Sequence, residues 1–224
     1  YTKTIFELNK RYGIFKFVVV VPTLSIKAGT IGFLRSSSAR EHFKEQYGKT
    51  LQLHVVESKR KSKTKKSSMP AAVSSFVNAV NFSKNSIQVM IINAGMINSD
   101  TMKSSFDKRL LEKYTVPFDA IGATHPFLII DEPHKCKKGN TTWKNILQMT
   151  PQFILRYGAT FSEHENLLYT LTAVEAFNRN LVKGIVGHII EFEQGKNTIV
   201  KLINIDNNEA RFQVLEEGKS KKTV

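Results

Sequence analysis

An α/β fold is predicted: a mainly parallel β-sheet with helices on both faces, followed by a small antiparallel β extension. Three observations predict it. Uniformly apolar runs of strand length, "FKFVVVV" (15–21), "IQVMII" (87–92) and "FLII" (127–130), need burial on both faces, as in a covered parallel sheet. Helical stripes fall between those runs, so strand and helix alternate as βαβ units require. After Lys183 the pattern changes to strict alternation. Ile190 and Phe192 alternate with Glu191 and Glu193, and Phe212 and Val214 with Arg211 and Gln213, as in half-solvated antiparallel strands. The expected division is therefore a first domain over 1–183 and an extension over 184–224.

Each element has its own signal. Tyr1, Ile5, Leu8 and Tyr12 recur at helical spacing, and Gly13 ends that helix. The strand at 15–21 comes next. Leu24 to Tyr47 reads as one long helix, weakened by Gly29 and Gly32. "LQLHVVE" (51–57) is the next strand, and "SKRKSKTKKSS" (58–68) a polar, basic loop. Ala72, Val73, Phe76, Val77 and Val80 form a second stripe before the strand at 87–93. After the strand at 127–131, a short helix carries Trp143, Ile146 and Leu147. "FILRYGATF" (153–161) is a strand running into a turn, and Val174, Phe177 and Leu181 mark one last helix. "QGKN" and "DNNE" supply turns in the extension.

Composition narrows the partners. The chain has 224 residues, 41% of them hydrophobic, which suits one medium domain plus an extension. Lys and Arg number 33 against 19 Asp and Glu, a net charge of +14, which favours a polyanionic partner such as nucleic acid. No apolar run approaches the roughly 20 residues of a spanning helix, and no signal-peptide pattern opens the chain, so no membrane partner is expected. A single cysteine, Cys136, excludes an intrachain disulfide framework and makes a reducing cytoplasm the simplest setting. The chain starts inside a helix and without Met, so a piece of a longer protein is expected.

"FLIIDEPHKC" (127–136) carries the strongest chemical signal. Ligands of open parallel sheets bind beyond the carboxyl ends of the strands, and Asp131 and Glu132 stand at such an end. Adjacent carboxylates there suit a hydrated metal ion and an attacking water: one holds Mg²⁺, the other orients or deprotonates the water. The alternative is a strand that ends in polar residues, with Asp131 capping the next segment. The tetrapeptide alone leaves both readings open.

Neighbouring blocks bear on that choice. "DEPH" resembles the DEAH-type Walker B box of superfamily 2 helicases and translocases. "RYGATF" (156–161) resembles their motif III, with Gly158, Ala159 and Thr160 in place of the usual Ser-Ala-Thr. "VVVVPTLSIKAGT" (18–30) resembles motif Ia, which touches the nucleic-acid backbone. Together with "IINAGMINSDTM", "PQFILRYGATF" and "LTAVEAFNRNLVKGI", these blocks are similar to the helicase (Res) subunit of type III restriction-modification enzymes, over roughly residues 1–187.

That resemblance implies a RecA-like motor domain using ATP and Mg²⁺ on double-stranded DNA, in a bacterial cytoplasm, with a modification (Mod) subunit as partner. Cleavage belongs to a separate nuclease domain. It implies that Asp131 holds Mg²⁺, that Glu132 serves the water, and that His134 couples the nucleotide site to motif III or to a second domain. Pro22 and Thr23, with Ala94 and Gly95 near the motif Ib position, would contact DNA. The Walker A loop of the family lies just upstream of the helix at Tyr1. Neither it nor the second RecA-like domain with its arginine finger occurs within these residues, so the chain alone is expected to be inactive. The competing functional reading is a non-catalytic basic DNA-binding module with vestigial motor motifs.

Plainer roles stand beside these. Thr23 and Thr160 can be N-caps, His134 a helix-start residue, and Lys27 a surface cation. The basic loop is a solvated charge run with room for non-specific DNA contact. His134 and Cys136 are too few for structural zinc. Trp143 lies on an apolar helical face and is expected in the core. "IINAG" (91–95) with Tyr12 and Lys16 resembles the Asn-Asn-Ala-Gly and Tyr-x-x-x-Lys elements of short-chain dehydrogenases, but in reversed order and without the Gly-rich loop.

Overall fold

A computed structural model of the chain describes residues 1–57, 68–80, 85–159, 166–183, 198–206, 209–216 and 222–223. They fall into two compact units, Tyr1–His164 and Glu165–Val224. The basic loop (58–67), Thr160, Ile190, Phe192 and the "QGKN" turn lie outside the described residues.

In the first unit the apolar runs form a five-stranded, wholly parallel sheet. Its strands are β1 (Lys16–Val21), β2 (Thr50–Val55), β3 (Ser86–Asn93), β4 (Phe127–Asp131) and β5 (Phe153–Tyr157), in the spatial order β2-β3-β1-β4-β5. Val19 pairs with Ile91 on one side and Ile129 on the other. The inner strands bury nearly every side chain, which is why their sequences show no alternation.

Alternate residues serve opposite faces. Phe17, Val19 and Val21 pack with Ile5 and Phe6 of α1 (Thr2–Tyr12), Leu34 of α2 (Leu24–Arg35) and Phe43 of α3 (Ser37–Tyr47). Val18 and Val20 pack with Phe76 of α4 (Ala71–Asn78), Met96 of α5 (Ala94–Ile97) and Met102 of α6 (Asp100–Lys103). Phe118 of α7 (Pro117–Gly122) and Ile146 of α8 (Thr141–Leu147) complete that second layer. Helices thus cover both faces, as the sequence predicts.

Several details differ from the sequence reading. The helix expected over Leu24–Tyr47 is two helices, and the break is at Ser36 rather than at Gly29 or Gly32. Ser36 is extended (φ −60°, ψ 143°). Its hydroxyl accepts from Ala39 N at 3.3 Å as the N-cap of α3 and donates to Phe33 O at 2.7 Å. In α1 the buried face is Ile5, Phe6 and Asn9, while Tyr12 is 71% exposed. Val80 lies beyond the end of α4, exposed. Helices α5–α7 have four to six residues each, too short to show a period.

Lys27 is buried, not a surface cation. Its ammonium donates to Val56 O just after β2, and burial lowers its pKa. Lys16 is similar: Nζ donates at 2.7 Å to Val77 O in the last turn of α4, and burial pushes its pKa down to about 8.

In the second unit, α9 (Ala173–Asn178) opens with a capping box between Thr172 and Glu175. Its expected apolar face, Val174 and Phe177, is exposed, and Ala176 is the buried residue. Strands β6 (Thr198–Ile205) and β7 (Ala210–Glu216) form an antiparallel hairpin with a register shift between Leu202 and Asn204, and β8 (Lys222–Thr223) pairs with β7. Asp206 N donates to Glu209 O, and Glu209 N to Asp206 Oδ1, each at 2.9 Å, while the two central residues of the expected "DNNE" turn lie outside the described residues. Both Leu202 and Ile203, on opposite faces of β6, are exposed. The hairpin is therefore more open than a half-solvated one.

The Lys16 ammonium makes stability depend on pH. The unfolded chain keeps this proton up to its ordinary value of 10.5, and the folded chain releases it near 8. Between those values the unfolded state binds more protons, so this group makes stability rise with pH. Denaturant midpoints measured from pH 8 to 10 should rise for the unchanged chain and flatten in Lys16→Met.

Candidate functional site

The strand order creates a crevice. The chain leaves β1 toward β2 on one side and leaves β4 toward β5 on the other, so the connections diverge beyond the carboxyl ends of β1 and β4. Pro22-Thr23 follows β1, Ala94-Gly95 follows β3, Asp131 ends β4 and Gly158-Ala159 follows β5. These four segments therefore emerge at one end of the sheet.

The β4 and β5 ends are held together tightly. Asp131 pairs with Tyr157, and Glu132 N donates to Tyr157 O at 2.7 Å, carrying the ladder one residue beyond the strand. The Tyr157 hydroxyl hydrogen-bonds the Thr4 hydroxyl at 2.7 Å, and the Tyr1 ring meets the Tyr157 ring edge-on at 6.0 Å. The start of α1 is thereby anchored to this end of β5.

Glu132 has left-handed backbone angles, φ 51° and ψ 70°. A non-glycine residue there carries strain, which recurs at functional sites. The bend turns the chain out of β4 into a 3-10 turn, Pro133–Lys135, closed by Cys136 N donating to Pro133 O at 2.8 Å. Glu132 Oε2 lies 3.6 Å from His134 Nδ1, and both side chains are partly open to solvent. Asp131 is half-buried. Burial first, and the neighbouring Glu132 charge second, raise its carboxyl above the usual range.

Pro22, Thr23, Ala94, Gly95 and His134 line one open cleft. The structure thus brings three separate sequence blocks to a shared surface. Thr23 also caps α2, its hydroxyl accepting from Ile26 N at 3.3 Å. Asn98, Asn140 and Thr142 complete the cleft and were missed from sequence. Single polar residues at the ends of short helices carry no periodic signal. Lys27 is absent from the cleft, being committed to Val56 O. Cys136 is buried, with its thiol pKa pushed up to about 11, which makes it unreactive. Trp143 packs against the core as expected. Tyr12 is exposed while Lys16 is bound to Val77 O, so the Tyr-x-x-x-Lys resemblance builds no site.

Among the described residues, no group of three or more His, Cys, Asp or Glu side chains could hold a metal. An Asp131-Glu132 edge still fits Mg²⁺, which takes one or two carboxylates and fills its shell with water and phosphate oxygens. No helix among the described residues is long and apolar enough to cross a membrane.

This parallel sheet with helices on both faces is the RecA-like α/β architecture of helicase-type motor domains. Residues 1–163 match the family described as type III restriction enzyme, res subunit, and the chain belongs to that family. It is 54% identical over 188 residues to the Res subunit of the EcoPI enzyme of Escherichia phage P1, covering 83% of this chain and 19% of that relative. It is 49% identical over 224 residues to the EcoP15I Res subunit of Escherichia coli, covering 99% of this chain and 23% of the relative. The StyLTI Res subunit of Salmonella typhimurium is 35% identical over 239 residues, covering 97% and 24%. The chain thus spans about a fifth to a quarter of the length of these curated relatives.

Glycine adopts the Glu132 backbone angles without steric cost. Glu132→Gly should therefore raise folding stability by on the order of 0.5–1 kcal/mol, the strain relief exceeding the added chain entropy. Urea unfolding of both forms measures it, and a fall in stability would show that the left-handed bend carries no strain.

Proposed function

We propose that this chain is part of the first motor domain of an ATP-dependent Res subunit, in which Mg-ATP hydrolysis drives movement along, or switching on, duplex DNA before cleavage. The observation that carries the reading is the junction of β4 and β5. It holds Asp131 and Glu132 at the switch-point crevice, with His134 reaching from the same loop into a cleft lined by Pro22, Thr23, Ala94 and Gly95.

The residues divide the work. Asp131 holds Mg²⁺, directly or through water. When bound, that ion would supply positive charge where negative charge develops on the phosphates. Glu132 orients the attacking water and accepts its proton. The raised Asp131 pKa reflects carboxylates crowded in a half-buried place, an arrangement a divalent cation relieves. His134 lies between Glu132 and the cleft, so it can relay DNA occupancy to the carboxylates. Gly158 and Ala159, on the neighbouring strand end, belong to the motif III coupling segment, with Thr160 next in sequence. Gly158 lacks the hydroxyl that serine supplies there. DNA lies across the cleft with its phosphates against Pro22, Thr23, Ala94 and Gly95.

The setting proposed for the full subunit is a bacterial cytoplasm, with a Mod subunit that reads the sequence and a separate nuclease domain. These 224 residues contain neither a Walker A phosphate cradle nor an arginine finger, and the finger alone contributes on the order of a thousandfold in rate. The chain by itself should therefore show no measurable ATP turnover.

In a full-length subunit, Glu132→Gln should abolish turnover while leaving ATP binding largely intact. Asp131→Asn should also weaken Mg²⁺-dependent binding. Phosphate release and nucleotide binding measured side by side decide this: normal turnover by Glu132→Gln would overturn the assignment made here, and no turnover by the unchanged full-length subunit would favour a non-catalytic DNA-binding module.

The chain should also bind duplex DNA without sequence preference, its affinity falling steeply with salt at about 0.9 log units per phosphate contact for each log unit of salt. Replacing Lys59, Arg60, Lys61, Lys63, Lys65 and Lys66 with Ala should lower that slope if the loop takes part. Titrations at several salt concentrations give the slope directly, and an unchanged value makes the loop a bystander.

A further inference from the structure

We propose that Asn98 is a positioning residue whose side-chain amide yokes the segment after β3, one wall of the cleft, to α8 on the other wall. The inference rests on the reading of this cleft as a groove for a nucleic-acid backbone. Ala94 and Gly95 line the cleft on the β3 side, and Asn140 and Thr142 line it on the α8 side. Asn98 Nδ2 donates to Thr142 Oγ1 at 2.8 Å, and Asn145 Nδ2 donates to Asn98 Oδ1 at 2.8 Å. Both ends of one amide are therefore committed to α8. The partners are buried, Thr142 at 7% and Asn145 at 5% exposure, while Asn98 itself faces solvent.

The chemistry makes this bridge a coupling device rather than one more surface contact. Removing the Asn98 amide leaves a buried hydroxyl and a buried carboxamide short of partners, so the two walls are held in register by groups that are costly to separate. Met96 and Ile97 on one wall and Ile146 on the other lie in the same apolar core as Cys136, the residue that closes the Pro133–Lys135 turn. A shift of α8 is thus passed through close packing to the loop bearing Glu132 and His134. A phosphate backbone seated on Ala94 and Gly95 loads the segment that Asn98 ties to α8. Trp143, the chain's single tryptophan, stands between Thr142 and Asn145 and reports on that helix.

The experiment follows anisotropy of a labelled DNA duplex, for affinity, and Trp143 emission at saturating duplex, for coupling. It compares the unchanged chain with Asn98→Ala, Thr142→Val and Thr142→Ser. Duplex should change Trp143 emission in the unchanged chain and in Thr142→Ser, which keeps the acceptor hydroxyl. Asn98→Ala and Thr142→Val, each measured at a duplex concentration that saturates it, should lose the emission response.

Failure of the unchanged chain to bind duplex overturns the groove reading and this inference with it. Binding without an emission response, or a response surviving in both Asn98→Ala and Thr142→Val, overturns the inference and leaves the groove standing. An affinity loss beyond about tenfold in Asn98→Ala makes Asn98 a direct DNA contact and overturns its positioning role. Should Asn98→Ala fail to fold, Thr142→Val against Thr142→Ser decides by the same criterion.

Discussion

Burial of the inner strands on both faces governs the whole architecture. Every residue of β1 after Lys16 is buried, so neither face of the sheet can meet water. Helices must cover both faces, and the chain meets that demand by sending α2 and α3 to one side and α4–α8 to the other. The strand order β2-β3-β1-β4-β5 results, with connections diverging beyond β1 and β4. A crevice at the carboxyl ends is then unavoidable. The candidate site is therefore a geometric consequence of apolar burial, and its polar residues occupy a place that the core has already made.

The interior also shows how this fold accommodates cations. Lys27 donates to Val56 O just beyond β2, and Lys16 to Val77 O in the last turn of α4. Each ammonium meets a carbonyl that ordinary ladder or helix bonding leaves over at an element's end. The pairing moderates the desolvation cost without abolishing it, and both pKa values stay depressed. His54 and Gln88 obey the same rule with neutral groups, 2.8 Å apart beneath the helices. Part of the chain's positive charge is thus structural and unavailable to an anionic partner.

At the candidate site, local comfort is given up. Glu132 sits in left-handed backbone space and Asp131 keeps a carboxyl that burial and a like charge make harder to ionise. Both features persist because the surrounding structure over-determines them. The ladder to Tyr157, the Tyr157–Thr4 hydroxyl pair and the turn closed by Cys136 leave the loop little freedom. A left-handed non-glycine residue and a carboxyl made harder to ionise are adjacent at this strand end, a combination expected where local rules yield to chemistry.

The α/β class, the five strands and the family were all legible in the amino-acid sequence. Unbroken apolar runs have few other uses, and the motif blocks are contiguous in the chain. Asp131, Glu132 and His134 could be singled out as candidates for the same reason. Features that needed the folded chain involve residues distant in sequence. The meeting of Pro22, Ala94 and His134 in one cleft depends on strand order, which no local pattern encodes. The break at Ser36 depends on a hydroxyl that serves a carbonyl and an amide at once, a role available to any serine and therefore silent in the sequence. Lys27 looked like a surface cation because lysine usually is one, and its burial required Val56 O to arrive from another element. Asn98 became a bridge only when α8 folded against it: the hydrogen bond spans 44 residues, and the energetics of such long-range polar contacts are set by packing, not by spacing along the chain.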